Sequence, residues 1–199
     1  LKPFPIKEFH PFPRAMMGPG AHEMVGPEAL KMGFKKILLM SSGLRGTDIV
    51  HNMAESLKWH GLEVVVYEKV ESNPKDYNCM EMADLYVKEK CDSFISVGGG
   101  SVTDATKGAR IVVAHDGRNI NEFDGFNKSE NPNNPPHIAI NTTAGTGSET
   151  TVLAQPADAP APALPALAEA DWRWLEVQSG VVRVAVATFE AFVPQMVNL

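Results

Sequence analysis

Two stretches of this 199-residue chain combine bare backbone with hydroxyls in the way that phosphate and sugar recognition requires. The first runs Val97-Gly98-Gly99-Gly100-Ser101-Val102-Thr103-Asp104, with Lys107 three residues further on. Consecutive glycines remove the Cβ atoms that hold a phosphate away from main-chain amides. A helix beginning here would offer unpaired N–H groups and a positive dipole end to an anion. Ser101 then serves as N-cap or donates to phosphate. Asp104 falls in the first turn, with Lys107 on the same face. A tight strand-to-helix turn with a serine cap and a surface Asp–Lys pair explains the same residues without a ligand. Neither G-x-G-x-x-G nor G-x-x-x-x-G-K-[ST] is present, so neither standard fingerprint applies.

The second stretch is Asn141-Thr142-Thr143-Ala144-Gly145-Thr146-Gly147-Ser148-Glu149-Thr150-Thr151. Thr142, Thr143, Thr146 and Ser148 place several hydroxyls in one short loop, suited to a ribose, an amide or a phosphate. A plain Ser/Thr-rich turn is the alternative. Two such loops at one edge of one sheet point instead to a dinucleotide lying across them.

The elements around these loops alternate. A helical stretch is expected over Ala21–Met32, ending at Gly33, and a buried strand over Lys36–Ser41. Thr47 or Asp48 caps a helix to about His60, with Gly61 as its stop. Glu63–Tyr67 reads as strand, Asn73–Pro74 as turn, and Asp76 to about Lys90 as helix. Ser93–Val97 is strand, Gly98–Ser101 turn, Val102–Ala114 helix stopping near Gly117, and His137–Asn141 the last clear strand. Short apolar strands alternating with longer helices mean βαβ units, a parallel sheet and a doubly wound α/β architecture.

Composition sets the outer bounds. With 44% hydrophobic and 21% charged residues, the chain resembles an ordinary globular protein. A net charge of −6 argues against a general nucleic-acid binder. No apolar run is long enough to span a membrane. The N-terminal LKPFPIKEFHPFPR has no apolar core and is not a signal peptide, so a cytoplasmic location is expected. Cys79 and Cys91 read as reduced, buried thiols. His10, His22, His51, His60, His115 and His137 are scattered and read as surface or capping residues, not ligands. The chain changes character after Thr151. No lysine follows Lys128, and roughly residues 154–170 are dominated by Ala and Pro, the composition of a linker. Residues 1–151 are therefore expected to form the α/β domain, and 152–199 a linker and atypical tail. In that tail Ser179–Phe192 has strand-like alternation, enough for an edge strand or a helix but not for a second core.

GGGSVTD at 98–104 followed by TTAGTGSE at 142–149 resembles the iron-containing, or group III, alcohol dehydrogenases. The resemblance also takes in residues 14–26, 35–50, 61–74 and 90–101, and extends over roughly 9–151. MSSGLRGTD and NKSENPNNPPH are most similar to methanol dehydrogenases that retain a bound nicotinamide cofactor. The resemblance implies a dinucleotide-binding α/β domain followed by a helical domain holding a divalent metal: iron, zinc or magnesium. Gly98, Gly99, Gly100 and Ser101 would cradle the pyrophosphate, with Asp104 and Lys107 beside the cofactor. Thr142, Thr143, Thr146 and Ser148 would meet the nicotinamide-side ribose and phosphate. An Asp commonly ends the first strand of the family's domain, and Ser42 takes its place here. A carboxylate there would repel a 2′-phosphate, so the serine leans towards NADP over NAD. The implied activity is oxidation of small primary alcohols such as methanol to aldehydes, by a homo-oligomer. The family's metal ligands, an Asp and three His beyond TTAGTGSE, have no counterpart, and no catalytic residue can be named. Weak or absent dinucleotide binding and very slow turnover by this chain alone are therefore expected. A non-catalytic nucleotide-binding or assembly module is the alternative, distinguished by dinucleotide uptake with neither metal nor turnover.

Overall fold

The computed structural model describes residues 14–18, 20–42, 44, 46–124, 128–129, 133–143 and 182–187. The chain opens with β1 (Arg14–Gly18), a 3-10 turn (Ala21–Met24) and α1 (Val25–Lys31). It continues through β2 (Lys36–Ser41), α2 (Ile49–Trp59), β3 (Glu63–Tyr67) and α3 (Asp76–Glu89). Then come β4 (Ser93–Gly98), α4 (Gly100–Ala114), a second 3-10 turn (Ile120–Phe123), β5 (His137–Asn141) and β6 (Val182–Ala187). The strands form one sheet in the order β1-β6-β5-β4-β2-β3, and every neighbouring pair is parallel.

The period-two geometry of a strand divides its side chains between two faces. Ile37 and Leu39 of β2, Ile95 and Val97 of β4, and Ile138 and Ile140 of β5 share one cluster with Val25, Ala29, Val50, Met53 and Leu57. Leu38, Met40 and Phe94 point the other way, against Met82, Tyr86, Val102, Ala105 and Ala109. Thus α1 and α2 cover one face while α3 and α4 cover the other, the doubly wound arrangement. Burial on both faces is why β2, with Ile37-Leu38-Leu39-Met40, reads as a continuous apolar run rather than an alternating one.

Most element bounds follow local signals. Gly61 takes φ +81° just past α2, and Asp48 stands at its N-cap. Asp48 makes no side-chain capping bond; the Thr47 hydroxyl instead donates to the Leu44 carbonyl at 2.8 Å. Lys90, with φ +56°, closes α3 in the left-handed position that glycine usually fills.

The fold departs from the sequence reading in several places, the first being the helix expected over Ala21–Met32, which is a 3-10 turn followed by α1. The short run RAMMG forms β1, which its composition does not announce. Within the tail, Val182–Ala187 lies between β5 and β1, inside the sheet and not at its edge. His137 is fully buried in β5, neither a surface nor a capping residue, whereas His60 and His115 do contact carbonyls one turn back, of Ser56 and Ile111. The linker read over 154–170 lies outside the described residues.

Candidate dinucleotide-binding site

The strand order reverses between β2 and β4. From β2 the chain moves outward to β3, then returns past β2 to form β4. The helices that follow these two strands, α2 and α4, pack on opposite faces. At such a switch point the connections diverge and leave a crevice at the carboxyl ends of the strands. Register places Ser41 beside Val97 and Gly98 beside Asn141. The residues expected to bind a cofactor at Ser42, Gly98–Ser101 and Thr142–Thr143 therefore share this edge.

Here the two loops are joined by backbone. The Thr142 N–H donates to the Gly98 carbonyl at 3.0 Å. A Cβ on Gly99 would lie 2.9 Å from Thr143 Oγ1, and one on Gly98 would lie 2.6 Å from Val102 Cγ2. Val102 is only 1% exposed, so it cannot yield freely. Glycine thus permits both the close approach of the loops and the abrupt change from strand to helix.

α4 starts earlier than Val102, and this revises two assignments. Gly99 is the N-cap, in extended conformation, and its carbonyl accepts from the N–H groups of Val102 and Thr103 at 3.2 and 3.3 Å. Ser101 is therefore not the N-cap but the second helical residue. Asp104 lies in the second turn, not the first. The first N–H groups of the helix have no intrahelical acceptor and face the strand end. Lys107 does meet Asp104, with Nζ 3.2 Å from Oδ1 and side-chain exposures of 10% and 18%. Because the carboxylate offsets the ammonium, attraction for a diphosphate falls mainly to the amides and dipole of α4.

The last residue of β2 is Ser41, one before the serine singled out from sequence. Its buried hydroxyl donates to the Val97 carbonyl at 2.9 Å and ties β2 to β4. Ser42, half-buried, stands immediately beyond it. Asn73 also belongs to this edge, because its main-chain N–H donates to Ser101 Oγ at 3.3 Å. Sequence reasoning marked Asn73 only as a turn residue before Pro74. Thr146 and Ser148 lie outside the described residues.

Buried groups away from this edge serve the fold. His137 Nε2 lies 2.8 Å from Ser96 Oγ, and burial, with the cationic Arg110 and Lys107 nearby, holds its pKa well below the ordinary value. Burial lowers the Arg110 pKa to about 10, which leaves it charged at neutral pH, and its Nε donates to the Pro135 carbonyl at 2.6 Å. Both cysteines are buried and unpaired. Burial pushes the Cys79 thiol up to about 12 and the Cys91 thiol up to about 11. Among the described residues no group of three or more His, Cys, Asp or Glu could hold a metal ion. No helix among these residues is long and apolar enough to cross a membrane.

The sheet is parallel and doubly wound, an α/β lobe with a glycine turn and a hydroxyl-bearing loop at one edge. Residues 13–160 match the family described as iron-containing alcohol dehydrogenase, and the chain belongs to that family. It is 76% identical over 150 residues to methanol:N,N-dimethyl-4-nitrosoaniline oxidoreductase of Amycolatopsis methanolica, covering 75% of this chain and 35% of that protein. It is 38% identical over 143 residues to the NAD-dependent methanol dehydrogenase of Bacillus methanolicus, covering 71% of this chain and 37% of that one. Among solved structures, the alcohol dehydrogenase from Oenococcus oeni aligns with a TM-score of 0.69 and 33% identity, over 88% of this chain and 44% of that one. The chain thus spans about a third of the length of these curated relatives.

Proposed function

We propose that this chain supplies the nicotinamide-dinucleotide-binding lobe of an alcohol dehydrogenase acting on small primary alcohols such as methanol. The observation that carries the reading is the junction of the two loops, Thr142 N–H on the Gly98 carbonyl, between β4 and β5 and next to the β2/β4 switch point. The relatives named above are methanol dehydrogenases and oxidoreductases, which supports the substrate class. In this reading the pyrophosphate lies over Gly98, Gly99, Gly100 and Ser101 against the amides of α4. Asp104 and Lys107 flank it. Thr142 and Thr143, together with Thr146 and Ser148, meet the nicotinamide-side ribose. Ser42 faces the adenosine ribose without a carboxylate, so a 2′-phosphate meets no repulsion and NADP is preferred to NAD.

The bound nicotinamide supplies the hydride acceptor, and the protein's part is to fix its position and its electrostatic surroundings. Titration of the 199-residue chain with NADP and NAD, followed by native mass spectrometry, tests this. Weak uptake of one dinucleotide per chain, with NADP ahead, is expected. Uptake of neither at millimolar concentration would sink the reading. Alcohol oxidation by the chain alone is expected to be very slow; brisk turnover would show that this 199-residue chain suffices for the chemistry.

A further inference from the structure

Three non-glycine residues among those described have positive φ: Asn73 at 56°, Lys90 at 56° and Asp116 at 57°. Lys90 closes α3, and Asp116 follows the C-cap of α4, so helix termination accounts for both. Asn73 follows no helix. It lies between β3 and α3, directly before Pro74, in the left-handed conformation, which asparagine holds more readily than other non-glycine residues and which its surroundings here select.

Those surroundings are visible. Val70 is 5% exposed and Pro74 is buried, so the loop is anchored on either side of Asn73. Asn78 Oδ1 accepts the Lys75 N–H at 3.0 Å, and the Tyr77 hydroxyl donates to Glu71. The loop held this way aims the Asn73 N–H at the first turn of α4, where it reaches Ser101 Oγ at 3.3 Å. A serine hydroxyl has one proton and two lone pairs. With an N–H donated into one lone pair, the oxygen is fixed on the loop side and its proton is left for another acceptor. Ser101 is half-buried beside the bare backbone of Gly98 and Gly99, so an anion placed there is that acceptor.

We infer that Asn73 is a positioning residue for the cofactor pyrophosphate: its main-chain N–H orients the Ser101 hydroxyl so that the proton faces the anion. The asparagine side chain is required only because it tolerates the left-handed backbone that aims the N–H. This inference rests on the dinucleotide reading above.

The test is calorimetric titration of the full chain with NADP in N73A, N73G, S101A and N73A/S101A. S101A is expected to weaken binding by about tenfold, the scale of one charge-assisted hydrogen bond. N73A, which disfavours positive φ, weakens it several-fold. N73G keeps the N–H and accepts the φ, and restores affinity to within about twofold of the parent. N73A/S101A binds no more weakly than S101A, because the effect of residue 73 passes through the hydroxyl. A merely structural role for Asn73 would make the two substitutions additive. Amide exchange supplies a second readout with residue 73 intact: the Asn73 N–H exchanges faster in S101A than in the parent. Parent-like affinity in N73A or in S101A, an N73G as weak as N73A, additive losses, or unchanged exchange overturns the inference. A parent chain that takes up no NADP overturns the dinucleotide reading together with it. A parent that binds normally while the residue-73 series stays flat overturns the inference alone.

Discussion

At the amino-terminal edge of the sheet Asp92 accepts the N–H groups of Lys35 and Lys36, at 2.9 and 3.3 Å, and the Ser93 hydroxyl at 2.8 Å. Arg110 spends its Nε on Pro135, and His137 lies against Ser96. At the carboxyl-terminal edge, Ser42, Gly99, Gly100, Ser101 and Thr142 are half-buried and Thr143 is exposed. One edge uses its polar groups to hold the fold. The other lays bare backbone and hydroxyls where the strand order reverses. Substitutions at the first should therefore read out as stability, and substitutions at the second as ligand affinity.

Gly98 is where this separation breaks down, because it ends β4 and also borders the loop junction. In G98A the new methyl must displace Val102, an overpacking that costs about 1–3 kcal/mol. The displaced turn is expected to lose tenfold or more in NADP affinity as well, since backbone approach to the phosphate depends on it. Urea melts and cofactor titrations on the same samples check both halves. Loss of affinity with unchanged stability would mean that the turn is decoupled from the core.

D92A sharpens the contrast from the other side. Removing a carboxylate that accepts three hydrogen bonds should cost about 2 kcal/mol. NADP affinity, extrapolated to fully folded protein, should stay within about twofold. Any larger change in affinity would make the two edges one coupled unit. S42D is the converse case: stability within about 0.5 kcal/mol of the parent, but a shift of about tenfold from NADP towards NAD. Competition between the two cofactors measures it, and an unchanged ratio would remove Ser42 from the adenosine end.

What could be read from sequence follows the range of the interactions involved. β2, β3 and β5 keep their expected bounds because each is a compact apolar or β-branched run ended by polar or turn-forming residues. The glycine-rich turn after β4 and the threonines after β5 stand out in sequence because glycine and threonine density is local. The start of α4 was misplaced because glycine is a poor helix former, yet the Gly99 carbonyl accepts from Val102 and Thr103. β1 was missed because RAMMG has no β-branched residue. The slot of β6 between β5 and β1 depends on parallel pairing between remote segments, which composition does not encode. The contributions of Ser41 and Asn73 likewise appear only once β2 lies beside β4 and the loop after β3 folds over α4.

His137 shows the same limit and leads to the smallest predicted effect. Sequence places it first in the strand His137–Asn141 and reads it as a surface or capping residue, but pairing with Phe94 carries it into the interior. Its Nδ1 has no partner among the described residues, so protonation there would place a charge in an apolar layer near two cations. The folded chain holds this imidazole neutral to well below its usual pKa, whereas the unfolded chain protonates it near pH 6.5. Below that pH the unfolded state binds the extra proton, so stability falls as pH falls. The loss from this one group between pH 6.5 and 5.5 should be about 1 kcal/mol, continuing at lower pH until the depressed folded pKa is reached. In H137Q that component should vanish from urea melts across the same interval, whatever the substitution does to absolute stability. NADP affinity corrected for folding should not follow it. An equal pH slope in H137Q would show that the buried imidazole is not the source. A matching pH dependence in cofactor affinity would instead mean that the buried imidazole communicates with the carboxyl edge.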